Sequence, residues 1–290
     1  MKNIPKIILE ESIDLDRETD LFLNFLHHRY YVQNRNFIFQ VFPELEKLLE
    51  KQEKEKQIIK SFISKFYSDN KSEIHKIIQK NKNLLIEKSE PSLIALLEIM
   101  GYQYDKSVVY KAAPTILPFS PFGDNIFYFS ILGEIKGKTD KNILTIGIHE
   151  ISHFILLNLL KMIENKKGII LPDDVKNYLK EVLAVVILNQ EPLCSILELK
   201  NYKGNPEIQS LKIEKQDNSI KTFTDFLNEY YYIVKTKKQK SFCVFLEGII
   251  NILLPIAPEF AKKRVLWNEY GKKVLREPKL IKLYSEPIKI

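Results

Sequence analysis

The sequence predicts a predominantly helical α+β fold, on three observations. Residues 1–105 are rich in Lys and Glu and place their apolar residues at helical spacing. Residues 107–132 change character: β-branched and aromatic residues run in short stretches broken by Pro114, Pro118, Pro121 and Gly123, the pattern of a small sheet. From Ile143 onward helical patterns return, through 143–160, 172–190, 223–234, 242–256 and 258–270. The expected organisation is a helical N-terminal region 1–105, a core 106–200, and a basic helical C-terminal region 201–290.

Each element has a local reason. Pro43 opens a periodic stretch, Ser72 and Ser89 have the character of helix caps, and Gly101 suits the close of a helix after Pro91. The charged run 50–56 reads as solvated. Residues 143–160 (ILTIGIHEISHFILLNLL) are apolar nearly all round, which predicts a buried helix. In 172–190, Pro172 suits a first turn and Asp173 and Asp174 complement the positive end of the helix dipole. That segment is wholly apolar from Val182 to Leu188, leaving Glu181 at its border. Residues 242–257 are apolar too, but they contain Glu247, meet Pro255 and Pro258, and are short for a bilayer crossing. They read as a core helix, and no membrane span is expected.

Composition narrows the class. The chain is 45% hydrophobic, ample for a core. Only Cys194 and Cys243 are present, which supports neither a disulfide framework nor a cysteine metal cluster. The start MKNIPKIILEESIDLD passes at once from a short apolar run to acids, unlike a secretory signal, so a cytoplasmic location is expected. The net charge of +7 is concentrated in 201–290, visibly at 235–240 (KTKKQK) and at Lys262, Lys263 and Arg264. Such clusters are usually solvated faces, and without a recognition motif nucleic acid is not the expected partner.

The chemistry is concentrated in His149-Glu150-Ile151-Ser152-His153, an HExxH pattern. Residues four apart on a helix share a face, so His149 and His153 can grip one ion. Glu150, one position round, can reach a water at the open coordination position and act as its general base. Three ionisable groups in an apolar helix also need partners, because burying them alone costs several kcal/mol each. A shared metal supplies those partners; hydrogen bonds within the core are the plainer alternative.

A catalytic zinc usually has a third protein ligand. The extended pattern HExxHxxGxxH is excluded by Leu156 and Leu159, and the remaining histidines, His27, His28 and His75, all lie upstream. His27 and His28 are adjacent and point apart, and His75 has no partner at ligand spacing. Glu181 is the best-placed acid, with Glu164, Asp173, Asp174 and Glu191 as competitors.

With these residues the chain resembles the gluzincins, the thermolysin-like zinc peptidases, in which an HExxH helix is followed by a second helix bearing a glutamate ligand. The matching positions are His149, Glu150 and His153, then Glu181 and the small Ala184, within residues 106–190. The resemblance implies a zincin-like core with a small mixed sheet and an active-site helix. It also implies zinc held by His149, His153 and Glu181, Glu150 activating water, and a peptide or protein substrate. One departure stands out: an aspartate that follows the ligand glutamate by four residues in thermolysin-type proteins is Val185 here. The resemblance further suggests that residues 125–132 form an open edge strand for extended substrate, and that Tyr230, Tyr231 or Tyr232 assists the oxyanion. A non-catalytic zincin-like protein, regulating or binding through its basic C-terminal region, is the alternative reading.

Overall fold

The computed structural model describes residues 3–28, 32–50, 54–137 and 142–290, and shows a predominantly helical α+β fold with small mixed sheets. The chain begins with β1 (Lys6–Leu9), α1 (Leu15–Leu26), α2 (Val32–Val41), α3 (Pro43–Leu49), α4 (Glu55–Asp69) and α5 (Lys71–Met100). Next come β2 (Val109–Thr115), β3 (Phe122–Gly123), β4 (Ile126–Ser130), α6 (Leu132–Ile135), α7 (Ile143–Lys167) and α8 (Asp173–Leu188). The last part comprises α9 (Leu193–Ile196), α10 (Pro206–Ser210), β5 (Lys212–Glu214), β6 (Ile220–Thr222), α11 (Phe223–Tyr231), α12 (Phe242–Leu253), α13 (Ala257–Tyr270), α14 (Pro278–Ser285) and β7 (Ile288–Lys289).

The chain forms two compact units that cut across the three sequence segments. One consists of Ile4–Glu90 and Lys106–Gly147; the other of Met1–Asn3, Pro91–Asp105 and Ile148–Ile290. Strands β2 to β4 therefore group with the N-terminal helices. Helix α5 is continuous through Pro91, so Ser72 and Ser89 lie inside one helix rather than capping two. Gly101 ends it as expected: its φ is +58°, and Tyr102 N–H returns to the Leu97 carbonyl at 3.0 Å.

In the first unit the sheet order is β1-β2-β4-β3, with β1 and β4 both parallel to β2. β3 and β4 form a hairpin whose central residues Asp124 and Asn125 both have positive φ, +47° and +61°, as a two-residue turn matching strand twist requires. This corrects the expectation of an open edge at 125–132. The outer amides of β4 are taken, Tyr128 N–H by the Pro121 carbonyl and Ser130 N–H by Ser120 Oγ, so the sheet edges are β1 and β3. Phe22, Ile38, Phe42, Ile59, Ile63 and Phe127 fill the core. Glu18, 2% exposed, accepts from Thr115 Oγ1 and Ile116 N–H at the end of β2. Burial pushes its carboxyl up to about 7. Asn81 accepts from Ile143 N–H and so pins the start of α7. Four residues on, a Cβ at Gly147 would lie 2.7 Å from the buried Phe127 ring; only glycine lets α7 approach β4 this closely.

In the second unit α8 packs on α11 and α13, with Tyr178, Phe223 and Phe260 in ring contact. The cluster at Lys262, Lys263 and Arg264 does not form a basic surface. Arg264 donates to both carboxylate oxygens of Glu207, at 3.0 and 2.8 Å, and Tyr178 Oη donates to Oε1 at 2.7 Å. Lys263, 7% exposed, donates to the carbonyls of Leu283, Tyr284 and Glu286, each at 2.8 Å. Only Lys262 of the three faces solvent, paired with Glu259. Lys263 thereby holds the C-terminal segment, whose β7 pairs with β5, and Arg264 holds α10 through Glu207. Among the described residues, two helical stretches, Ile143–Lys167 and Phe242–Leu275, are long and apolar enough to cross a bilayer by length and composition. The apolar window of the first is 72% buried, as in a core helix, and that of the second 39%.

Candidate metal centre

The site lies within the second unit, on α7 and α8. Both histidines of the HExxH pattern are buried, His149 at 9% and His153 at 1% exposure, and Glu150 between them at 7%. One helical turn separates the imidazoles, whose centroids are 4.4 Å apart with planes at 70°. From α8, Glu181 brings Oε2 to 3.6 Å from His149 Nε2. One ligand atom from each of His149, His153 and Glu181 lies within 4.8 Å of the other two. An ion bound at about 2.0–2.2 Å in tetrahedral geometry holds its donors roughly 3.3–3.6 Å apart, so small side-chain rotations bring the three into register. Glu150 Oε2 stands 3.3 Å from His153 Nδ1.

The protonation states suit a cation. Burial presses the His153 imidazole down to about 3, so it is neutral at pH 7. Burial alone would raise the Glu181 carboxyl, but His153, His149 and the Lys180 ammonium hold it well below the usual carboxylate range. A neutral imidazole and an ionised carboxylate are the forms that ligate. Lys180 Nζ is 3.5 Å from Glu181 Oε1, a cation beside the ligand set that the pattern did not reveal.

The competing acids are engaged elsewhere or lie at a helix start. Glu164 accepts from Leu171 N–H and Lys176, and Glu191 from Cys194 and Ser195. Asp173 and Asp174 form the first turn of α8. His27 pairs with Glu55, His28 stacks on Phe25, and His75 is exposed.

Tyrosines 230–232 are not brought to the histidines. Tyr230 and Tyr231 contact the Phe245 ring of α12, and Tyr232 is 51% exposed with Lys237 over its ring. The tyrosine at the site is Tyr202, whose hydroxyl is 3.1 Å from His149 Nδ1. It sits in an irregular loop beyond α9, where no periodicity marks it. Val185, where the resembled proteins have their aspartate, is buried and covered by Gly204: a Cβ there would lie 2.9 Å from Val185 Cγ2.

Comparison with protein-family models, curated proteins and solved structures finds no match for this chain.

Proposed function

We propose that the protein is a zinc-dependent metallopeptidase in which His149, His153 and Glu181 hold the ion and Glu150 is the general base. The observation that carries this reading is the convergence of the three donors within 4.8 Å, from two helices, beside a buried Glu150. Two imidazole nitrogens and one carboxylate oxygen form a donor set suited to zinc, which in catalytic sites takes a water as its fourth ligand. A bound zinc would lower the pKa of a water and polarise the substrate carbonyl. Glu150 takes the proton from the attacking water and returns it to the leaving amine. The burial of Glu150 and His153 keeps bulk water from the proton in transit. Lys180 offsets part of the negative charge that Glu150 and Glu181 bring to the site. Of the two basic clusters open to the alternative, a non-catalytic protein binding through its C-terminal region, Lys263 and Arg264 are committed to internal contacts, whereas residues 236–240 are exposed.

The test is metal content together with turnover. Protein purified without chelators is expected to carry one zinc per chain and to cleave members of a diverse peptide library. Glu150→Gln should keep the zinc and lose about 10²–10⁴-fold in turnover, the usual contribution of a general base. Glu181→Ala should lose zinc while Glu164→Ala keeps it. A chain without stoichiometric metal refutes the reading; a zinc-loaded chain with no turnover on any peptide refutes the catalytic part.

A further inference from the structure

The Nδ1 face of His149 is as closely held as its Nε2 face. We propose that Tyr202 is a positioning residue for the metal centre: its hydroxyl, fixed in place by Asn189, holds His149 with Nε2 turned toward Glu181. The inference rests on the metal-binding reading above. Tyr202 is 8% exposed, and its ring centroid is 5.8 Å from that of His149. Both backbone polar atoms of Tyr202 are gripped by one side chain. Its N–H donates to Asn189 Oδ1 and its carbonyl accepts from Asn189 Nδ2, each at 2.8 Å. Asn189 Nδ2 also donates to the Val185 carbonyl at 2.8 Å, which anchors the clamp in the last turn of α8. Two residues after Tyr202, Gly204 lies so close to Val185 that a side chain would hold the loop off the helix. Helix α8 therefore acts on His149 from two sides, directly through Glu181 and indirectly through Asn189 and Tyr202.

A phenol suits this place because it both donates and accepts. With the imidazole proton on Nε2, toward the Glu181 carboxylate, the Tyr202 hydroxyl donates to Nδ1. With Nε2 as a ligand, the proton would sit on Nδ1 and the hydroxyl would turn to accept from it. The His149 ring keeps one orientation throughout. The partner on the far nitrogen of a ligating histidine fixes tautomer and ring angle, and losing it costs about 10- to 100-fold in metal affinity.

The experiment uses the full chain. Zinc affinity is measured by chelator competition for wild type, Tyr202→Phe and Asn189→Ala, with Tyr230→Phe as control, alongside nitrogen NMR of the imidazoles in the metal-free proteins. Tyr202→Phe is expected to weaken zinc by about 10- to 100-fold and to shift the His149 ring-nitrogen signals, with helix content unchanged. Asn189→Ala, which keeps the hydroxyl but frees the loop, should move both readouts the same way by less, and the control should move neither. Wild-type affinity in Tyr202→Phe with unmoved ring signals overturns the proposal while leaving the metal centre standing. If the wild type binds no zinc, the metal reading fails, and with it the role in positioning a ligand.

Discussion

Glu18 gives the most quantitative test of the structure, because an isosteric change separates burial from every other influence of pH. Its carboxyl is 2% exposed and burial raises it from 4.5 to about 7. Below pH 4.5 the acid is protonated in both folded and unfolded chains and contributes no pH dependence. Between 4.5 and 7 the unfolded chain releases its proton while the folded chain keeps it, so stability falls as pH rises. Above 7 both forms are ionised and the loss is complete. A shift of this size, at 1.36 kcal/mol per unit, corresponds to about 3 kcal/mol. Glu18→Gln keeps an oxygen for the Thr115 hydroxyl and the Ile116 amide but cannot ionise. Urea unfolding of both proteins from pH 4 to 9 isolates the effect, because other titrating groups cancel in the difference. The variant should match wild type near pH 4 and exceed it by about 3 kcal/mol at pH 8. A difference that does not change with pH would refute the assignment of a buried, neutral acid.

Two further substitutions test how the site is supported. Arg264→Leu leaves the Glu207 carboxylate, 6% exposed on its side chain, without its guanidinium. This should cost about 3–5 kcal/mol in urea unfolding, with much of it restored by adding Glu207→Gln. A cost within about 0.5 kcal/mol would return Arg264 to the solvated surface that its sequence neighbours suggest. Gly147→Ala sets a gain in helix propensity of about 1 kcal/mol against a methyl driven into the buried Phe127 ring, an overpacking cost of about 1–3 kcal/mol. The ring is fully buried, so a lower melting temperature is expected; a rise would show that α7 has room to shift.

The pattern in the sequence determined whatever depends on neighbours along the chain. Helix spacing in 143–160 and 172–190, the sheet signals before them, and Gly101 as a helix end were legible because periodicity and backbone preference act over a few residues. His149, Glu150 and His153 were legible for the same reason, since one helical turn fixes their mutual placement whatever the rest of the chain does.

Other features depend on which surfaces meet, and only the tertiary structure decided them. Pro91 does not break α5, and β4 is covered by a hairpin instead of forming an edge. Lys263 and Arg264 read as surface charge because they stand in a run of cations, yet they face carbonyls and a carboxylate supplied from other segments. Glu181 is one of several acids downstream of His153, and only folding places its oxygen 3.6 Å from His149. Tyr202 left no trace in the pattern at all. Its role comes from an asparagine thirteen residues earlier and a glycine that lets the loop lie on α8, and no spacing rule encodes a contact made by an irregular loop.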